Sequence, residues 1–552
     1  MTIIQRRLLV ACVVLGSLLV FLAGFRPADD DIFFAIKKNL TIFGSLYEEL
    51  AVGYVDPVDA EQLMRTGLES MLSTLDPYTV FIDEATNEDI DIATRGRYAG
   101  VGLTVAIQQG AITVVTPIEG YSGFRQGVRA GDIIIEVAGR SVEGLKPSEV
   151  TELFRGDPGT TVSLVVERQG EIQPIEFLLT REQVRVKNVT YAGLLPGSRI
   201  GYLRLERFAR EAYAELLDAV RGLQAQQELD GLIIDLRDNP GGLLEAAVDI
   251  SGMFVPQGTE IVSTKGRLPQ THRAYRSRRA PVMPDIPLAV LVNGNSASAS
   301  EIVAGALQDL DRAVVVGERT FGKGLVQIIR PLPYNTSLKM TTSKYYTPSG
   351  RSIQSVAYTH RAEDGYAVAI ADSLKKLYLT ASGREVKGGG GIEPDIAVPM
   401  PELSDLEEAL VRRSAFFRFA NRFAATRQSI PEDFVVTDAV FDEFRSWLDD
   451  EGFVFESRAE WLLAELSDEA LQAGYEIRKE LTSVERSLES QKDLEFGRHE
   501  TRLKEELRKE ILARYFGETA LIRASLAHDA QVRSASRLLA DPAALRDMLG
   551  GD

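Results

Sequence analysis

Between about Asn188 and Pro399 the chain alternates uninterrupted apolar runs with helix-length amphipathic segments. IGYLRL is followed by a helix over Ala212 to Gln226, then come GLIIDLRD, a helix from Leu243, PLAVLVN, a helix after Ser298 and AVVVGE. Strands that are apolar on both faces fold stably only inside a sheet covered on both sides, which specifies a parallel α/β core. KMTTSKYYTPSGRSI then reads as hairpin-like strands, and KGGGGIEPDI as a glycine loop leading to a sheet edge.

The flanking segments have other periods. Residues 31–95 carry Phe33, Ile36, Leu40, Phe43 and Leu46, then Leu63, Leu68, Met71 and Leu72, at helical spacing, and Leu75-Asp76-Pro77 stops them. Residues 96–185 change to short alternating strands with glycine turns and one helix-like stretch, LKPSEVTELFRG, as in a compact β-rich module. Residues 401–552 are helical and highly charged. Two narrow apolar stripes mark long helices there, Leu481, Val484 and Leu488, then Leu503, Leu507, Ile511 and Tyr515. Such stripes suit packing on the chain's own core, or association with a second copy or an adaptor protein. The expected domains are therefore 1–30, 31–95, 96–185, 186–400 and 401–552.

Residues 1–30 place Arg6 and Arg7 before an apolar run from Leu8 to Phe25, followed by Asp29, Asp30 and Asp31. This pattern predicts a membrane anchor with the remainder of the chain exported, with a cleaved signal peptide as the alternative. The expected location is a bacterial envelope, facing the periplasm or the extracytoplasmic space. Cys12 is the only cysteine, so intrachain disulfides and cysteine metal sites are excluded. A net charge of −18 argues against nucleic acid as partner.

Three tracts carry chemistry. Asn295 to Leu307, NSASASEIVAGAL, opens a small-residue helix with serines at 296, 298 and 300, and Ser298 to Glu301 fits a capping box. A serine at a strand-to-helix turn also sits where helix N–H groups stabilise negative charge. None of the four histidines, His272, His360, His499 and His528, lies in a catalytic-looking loop. A lysine held neutral is the remaining base, and Lys323 stands between two glycines in GERTFGKGLVQ. DLRDNPGG, from Asp235 to Gly242, ends a buried strand in a turn whose glycine N–H groups suit an oxyanion hole. At the head of the β module, Gly100-Val101-Gly102-Leu103 forms a loop able to offer N–H groups to a peptide carboxylate.

These elements in this order resemble the carboxy-terminal processing, or tail-specific, proteases over roughly Asp31 to Met400. LDPYTVFI, GVGL, GVRAGDIIIEVAGRSV, DLRDNPGG, NGNSASASEIVAGALQD, GERTFGKGLVQ, YYTPSGRSIQ and GGIEPDI carry the likeness. The resemblance implies an α/β protease core with a crotonase-like βα sheet, an inserted PDZ domain, a helical N-terminal segment and a helical C-terminal extension. It implies an exported serine endopeptidase that cleaves polypeptides with apolar C-termini through a Ser-Lys dyad, with no metal or other cofactor. Ser298 then matches the nucleophile, Lys323 the general base and Gln327 the residue that orients the lysine. Asp309 matches an auxiliary acidic residue, with a structural role favoured. The N–H of Ala299 and that of Gly241 or Gly242 match the oxyanion hole, and Val101, Gly102 and Leu103 the PDZ carboxylate loop, in a domain that either delivers a substrate's C-terminus or gates the protease. A catalytically inactive PDZ scaffold and a crotonase-like acyl-CoA enzyme are the rival readings.

Overall fold

The computed structural model describes residues 30–84, 94, 96–361, 367–369, 375–492 and 494–550. The expected anchor and Cys12 lie outside these residues. Among the described residues no helix is long and apolar enough to cross a membrane. The described chain divides into two units, 30–81 with 338–340, and 82–337 with 341–550.

The first unit contains helices α1 (Asp30–Gly53) and α2 (Ala60–Ser73). Asp59 caps α2 by accepting the N–H of Gln62 at 3.0 Å. The apolar residues that predicted these helices remain largely outside a core: Phe33, Leu40, Leu46 and Met71 are all more than half exposed.

The second unit begins with the β-rich module. Strands β1 (Leu103–Gln108), β2 (Ala111–Pro117) and β3 (Ile133–Val137), helix α3 (Pro147–Phe154), and strands β4 (Thr161–Glu167) and β5 (Ile175–Thr180) follow in order. The strands pair antiparallel in the sequence β1-β2-β3-β4-β5, so β1 lies at one edge. Alternation along β4 buries Val162, Leu164 and Val166 against Val150 and Phe154 of α3.

The α/β core follows the predicted order: β6 (Val189–Leu194), β7 (Ile200–Leu205), α4 (Ala212–Gln224), β8 (Gly231–Asp235), α5 (Leu244–Ser251), β9 (Leu288–Val292), α6 (Ala299–Asp309) and β10 (Val314–Gly317). Strands β11 (Leu325–Pro331) and β12 (Ser337–Tyr346) pair with each other in a separate sheet, and β13 (Ile396–Ala397) closes the main sheet's far edge. The main sheet runs β6-β7-β8-β9-β10-β13, parallel except for the β6/β7 pair.

Because successive strand residues point to opposite faces, each apolar strand feeds two cores. Leu203, Ile234, Val290 and Val315 face helices α4 to α6. Tyr202, Ile233, Leu291 and Val316 face the other way, and what covers them comes from the end of the chain.

The expected helical C-terminal region is present as α7 (Asp405–Arg412), α8 (Ala415–Thr426), α9 (Asp438–Asp450), α10 (Arg458–Gln472), α11 (Arg478–Lys492), α12 (Glu495–Leu526), α13 (Ala530–Leu539) and α14 (Pro542–Met548). Its two apolar stripes have different fates. Leu503, Leu507 and Ile511 are fully buried in an aromatic-rich core with Phe419, Phe444 and Trp447, whereas Val484 of α11 is 46% exposed. Helix α12 then breaks at Gly517, whose φ of 72° is open to glycine at no steric cost. Beyond the break, Ile522, Leu526, Val532, Ala535, Leu538 and Leu539 cover the second face of the protease sheet. The last thirty or so residues are thus a layer of the core, which the sequence alone presented as part of an appendage.

Burying a leucine contributes about 1.5–3 kcal/mol, and truncation adds the cost of a cavity. We expect Leu539→Ala to lower unfolding free energy by about 2–5 kcal/mol and Val484→Ala to change it by less than about 0.5 kcal/mol, read from urea midpoints.

Candidate active site

Burial separates the three serines that spacing alone left equivalent. Ser296 is fully buried and its hydroxyl donates to Leu236 O at 2.8 Å. Ser300 is also fully buried and donates to Asn239 O at 2.8 Å. Both are struts between the α6 turn and the strand-end turn after β8. Ser298 alone is half-exposed, at the position preceding α6, and its hydroxyl makes no cap hydrogen bond.

Its backbone is strained, with φ 57° and ψ −110°. A non-glycine residue there costs on the order of 1–3 kcal/mol and persists only where the surroundings hold it. Three contacts do so. The Ser298 N–H donates to Glu301 Oε2 at 2.8 Å, and the Ser298 carbonyl accepts from Ile302 N–H at 3.0 Å and from the Tyr345 hydroxyl at 3.2 Å.

Glu301 does far more than complete a cap. It is fully buried, and besides Ser298 it accepts from Thr320 Oγ1 at 2.6 Å, Gly322 N–H at 2.7 Å and Lys323 N–H at 2.9 Å. Four donors and no acceptor face it, the arrangement of an ionised carboxylate. Burial pushes its pKa up, opposed by these same hydrogen bonds. One carboxylate therefore fixes the backbone of Ser298 to that of Lys323, residues 25 positions apart in sequence. Tyr345 makes a second bridge between the same segments, since its N–H donates to Gly324 O at 3.0 Å while its hydroxyl holds Ser298 O.

Lys323 is half-buried in the FGKG turn that leads into β11. Gln327, in β11, donates from Nε2 to Thr341 Oγ1 of β12 at 3.3 Å. Asp309 sits at the other end of α6, about 16 Å from Ser298 along the axis at 1.5 Å per residue. It is buried in an ion pair with Arg351 at 2.7 Å and accepts the Ser349 N–H at 3.0 Å. That distance makes it a structural anchor for the helix.

The turn after β8 lies directly against the start of α6. Gly241 adopts φ 101°, and a methyl group on it would stand 2.6 Å from Ala297 O and 2.9 Å from Ser298 Cβ. Its N–H is already committed to Asn239 Oδ1 at 2.9 Å. The N–H groups of Gly242 and Ala299 donate to nothing among the described residues. Of the two glycines left open by the sequence, Gly242 is thus the one with a donor to spare.

In the β-rich module the carbonyls of Val101 and Gly102 accept from Gly123 and Ile118, at 2.9 and 2.8 Å. Val101 and Leu103 are buried, β1 runs on from the loop as an edge strand, and α3 lies beside it. Among the described residues no group of three His, Cys, Asp or Glu side chains is placed to hold a metal. The S-x-x-E spacing marked Glu301 only as a cap, and no local pattern marked Tyr345.

Glu301→Gln places an amide NH2 among N–H donors. It is expected to destabilise the fold by about 1–3 kcal/mol and to lower peptide hydrolysis, measured by denaturation and turnover side by side. Because the folded pKa lies above the unfolded value near 4.5, the Glu301 carboxyl contributes stability below that value and loses it as pH rises through the folded pKa. The glutamine variant loses that component of the pH slope.

Comparison with known proteins shows the family. Residues 199–361 match the model of peptidase family S41, residues 113–168 that of a PDZ domain, and residues 406–539 that of a probable PDZ-protease C-terminal helical domain. The chain is 35% identical over 396 residues to the carboxy-terminal-processing protease of Bartonella bacilliformis, covering 69% of this chain and 90% of that one. It is 38% identical over 293 residues to the carboxyl-terminal-processing protease of Synechocystis, covering 52% and 68%. Among solved structures, the photosystem II D1 C-terminal processing protease aligns with 29% identity and a TM-score of 0.35, over 64% of this chain and 85% of that one. With a PDZ module, an α/β core and a half-exposed serine at a helix start, the chain belongs to the carboxy-terminal processing proteases of peptidase family S41 and is a serine-type peptidase.

Proposed function

We propose that the protein is an exported endopeptidase that cleaves envelope or secreted polypeptides near their C-termini through a Ser298-Lys323 dyad. The observation that carries this reading is the difference among the serines: two hydroxyls are locked in buried hydrogen bonds, and the third is strained, accessible and tied through Glu301 to the lysine turn.

Neutral Lys323 takes the proton of Ser298 Oγ as the oxygen attacks the peptide carbonyl, and Gln327 orients the amine. The N–H groups of Ala299 and Gly242 receive the developing oxyanion. The lysine returns its proton to the leaving amine, then activates the water that hydrolyses the acyl-enzyme. Every step uses side-chain and backbone groups of this chain, without a cofactor.

The Val101-Gly102-Leu103 loop receives the substrate's terminal carboxylate, while the peptide adds as a strand to the edge of β1 beside α3. The open edge and flanking helix support this role. Residues 1–30 hold the enzyme in the bacterial inner membrane with its catalytic part outside the cytoplasm, or direct export and are removed. The exposed apolar side chains of α10 and α11, among them Trp461, Leu466 and Val484, support self-association or adaptor binding there.

An unfolded protein ending in apolar residues is expected to be degraded by the wild type and left intact by Ser298→Ala. Lys323→Arg should lower kcat by about 10²–10⁴-fold with the thermal midpoint unchanged, because a guanidinium remains protonated near neutral pH. Full activity of either variant rejects the dyad. Amidating the substrate's C-terminus should raise KM and leave kcat in place; equal KM values for both forms reject the carboxylate-binding role of the PDZ loop.

A further inference from the structure

The strand-end turn beside Ser298 is held from an unexpected direction. Asp235, the last residue of β8, is fully buried and takes the Arg237 guanidinium on both its oxygens, at 2.9 Å to Oδ1 and 3.0 Å to Oδ2 from Nε. It also accepts the Tyr202 hydroxyl at 2.5 Å. Nη2 of Arg237 also donates to Asp235 Oδ2, at 2.5 Å, and the remaining nitrogen, Nη1, crosses to the C-terminal helix layer. There it donates to Asp529 Oδ2 at 2.7 Å and to Gln531 Oε1 at 3.0 Å.

Both partners are themselves fixed. Asp529 caps α13, its Oδ1 accepting from Gln531 and Val532 N–H at 2.9 and 3.0 Å. Gln531 is fully buried and donates from Nε2 to Val398 O at 2.8 Å. The Asp529 and Arg237 side chains are only 14% and 12% exposed, so solvent screens the pair little.

On the active-site side, Arg237 stands two residues before Asn239. The intervening Asp238 has φ 59° and is held by Asn293 and Asn295. Asn239 in turn organises the turn: its Oδ1 takes the Gly241 N–H, and its carbonyl takes the Ala297 N–H and the Ser300 hydroxyl. Arg237 and Asn239 thus belong to one tight turn that ends at Gly241 and Gly242.

We propose that Asp529 and Gln531 are positioning residues for the oxyanion turn, so that the C-terminal helix layer is a functional part of the catalytic centre, acting through an arginine that lies 292 residues before Asp529 in sequence. This rests on the reading of Gly242 and Ala299 as oxyanion donors. The α13 layer sets where the donor points, and the active centre is incomplete until that layer docks. Oxyanion donors act only at a position fixed to a few tenths of an ångström, so a small displacement is felt in turnover before it is felt in substrate binding.

The test is Asp529→Asn in the full-length protein. Asparagine caps helices about as well as aspartate, so α13 keeps its start, but the amide NH2 then faces Arg237 Nη1. Active sites are counted with an irreversible fluorophosphonate, and a peptide boronate serves as the transition-state analogue. The expected result is a 10- to 100-fold fall in kcat per titrated site, little change in KM, and a matching loss of boronate affinity. Asp529→Glu, which keeps the charge on Arg237, should recover part of both. A loss of activity accounted for by fewer titrated sites, with kcat per site and boronate affinity unchanged, overturns the proposal and leaves Asp529 a stabilising residue only. A boronate that fails to inhibit the wild type, or turnover by Ser298→Ala, overturns instead the serine-lysine reading beneath it.

Discussion

The candidate active site depends on one buried carboxylate. Glu301 lies at the start of a helix whose every residue is buried, where the helix N–H dipoles favour negative charge, and it spends that charge on four donors from two segments. Without it, the strained backbone of Ser298 loses the contact on its N–H, and the lysine turn loses two N–H partners in a site where water does not replace them. An unpaired buried donor costs about 1–3 kcal/mol, so the group is worth more as a junction than as a helix cap. Tyr345 reinforces the junction from β12, and its burial pushes its pKa well above the ordinary tyrosine value, which keeps the hydroxyl a donor to Ser298 O at every physiological pH.

Around this junction the electrostatics are arranged in matched pairs. At the far end of α6, Asp309 and Arg351 pair in full burial, an arrangement in which removing either partner strands a charge and costs several kcal/mol. At the strand end, burial works to raise the Asp235 carboxyl, and the Arg237 guanidinium, with the Tyr202 hydroxyl, outweighs it and holds it below the usual carboxylate value. Helix α6 is therefore pinned at both termini and at the adjoining turn. Small residues along α6 let it lie in the core with all of these contacts intact.

Much of the fold was legible from apolar periodicity, because uninterrupted runs such as GLIIDL and PLAVLV admit few arrangements other than a doubly covered sheet. The helix over Pro147–Phe154 and the closing strand at Ile396 follow the same local signals. The choice among Ser296, Ser298 and Ser300 came from resemblance and not from spacing, because spacing says nothing about which hydroxyl meets a carbonyl from another segment. Likewise Gly241 and Gly242 are equivalent as letters, and only the Asn239 side chain distinguishes them. The tail shows the limit most plainly. Stripes at Leu481 and Leu503 look alike in sequence, yet one helix is left half-exposed and the other closes an aromatic core, and the partner of Arg237 lies too far along the chain for any window to find.

The break of α12 at Gly517 has a bearing on how the protein is made. Tyr202, Ile233, Leu291 and Val316 belong to strands synthesised hundreds of residues before Ile522 and Leu538, which cover them. During synthesis and any export the protease sheet has one greasy side and no lid. Until those last helices are made, the sheet lacks the cover of its second face, and a chain cut short before them presents that apolar face to chaperones and to other proteases.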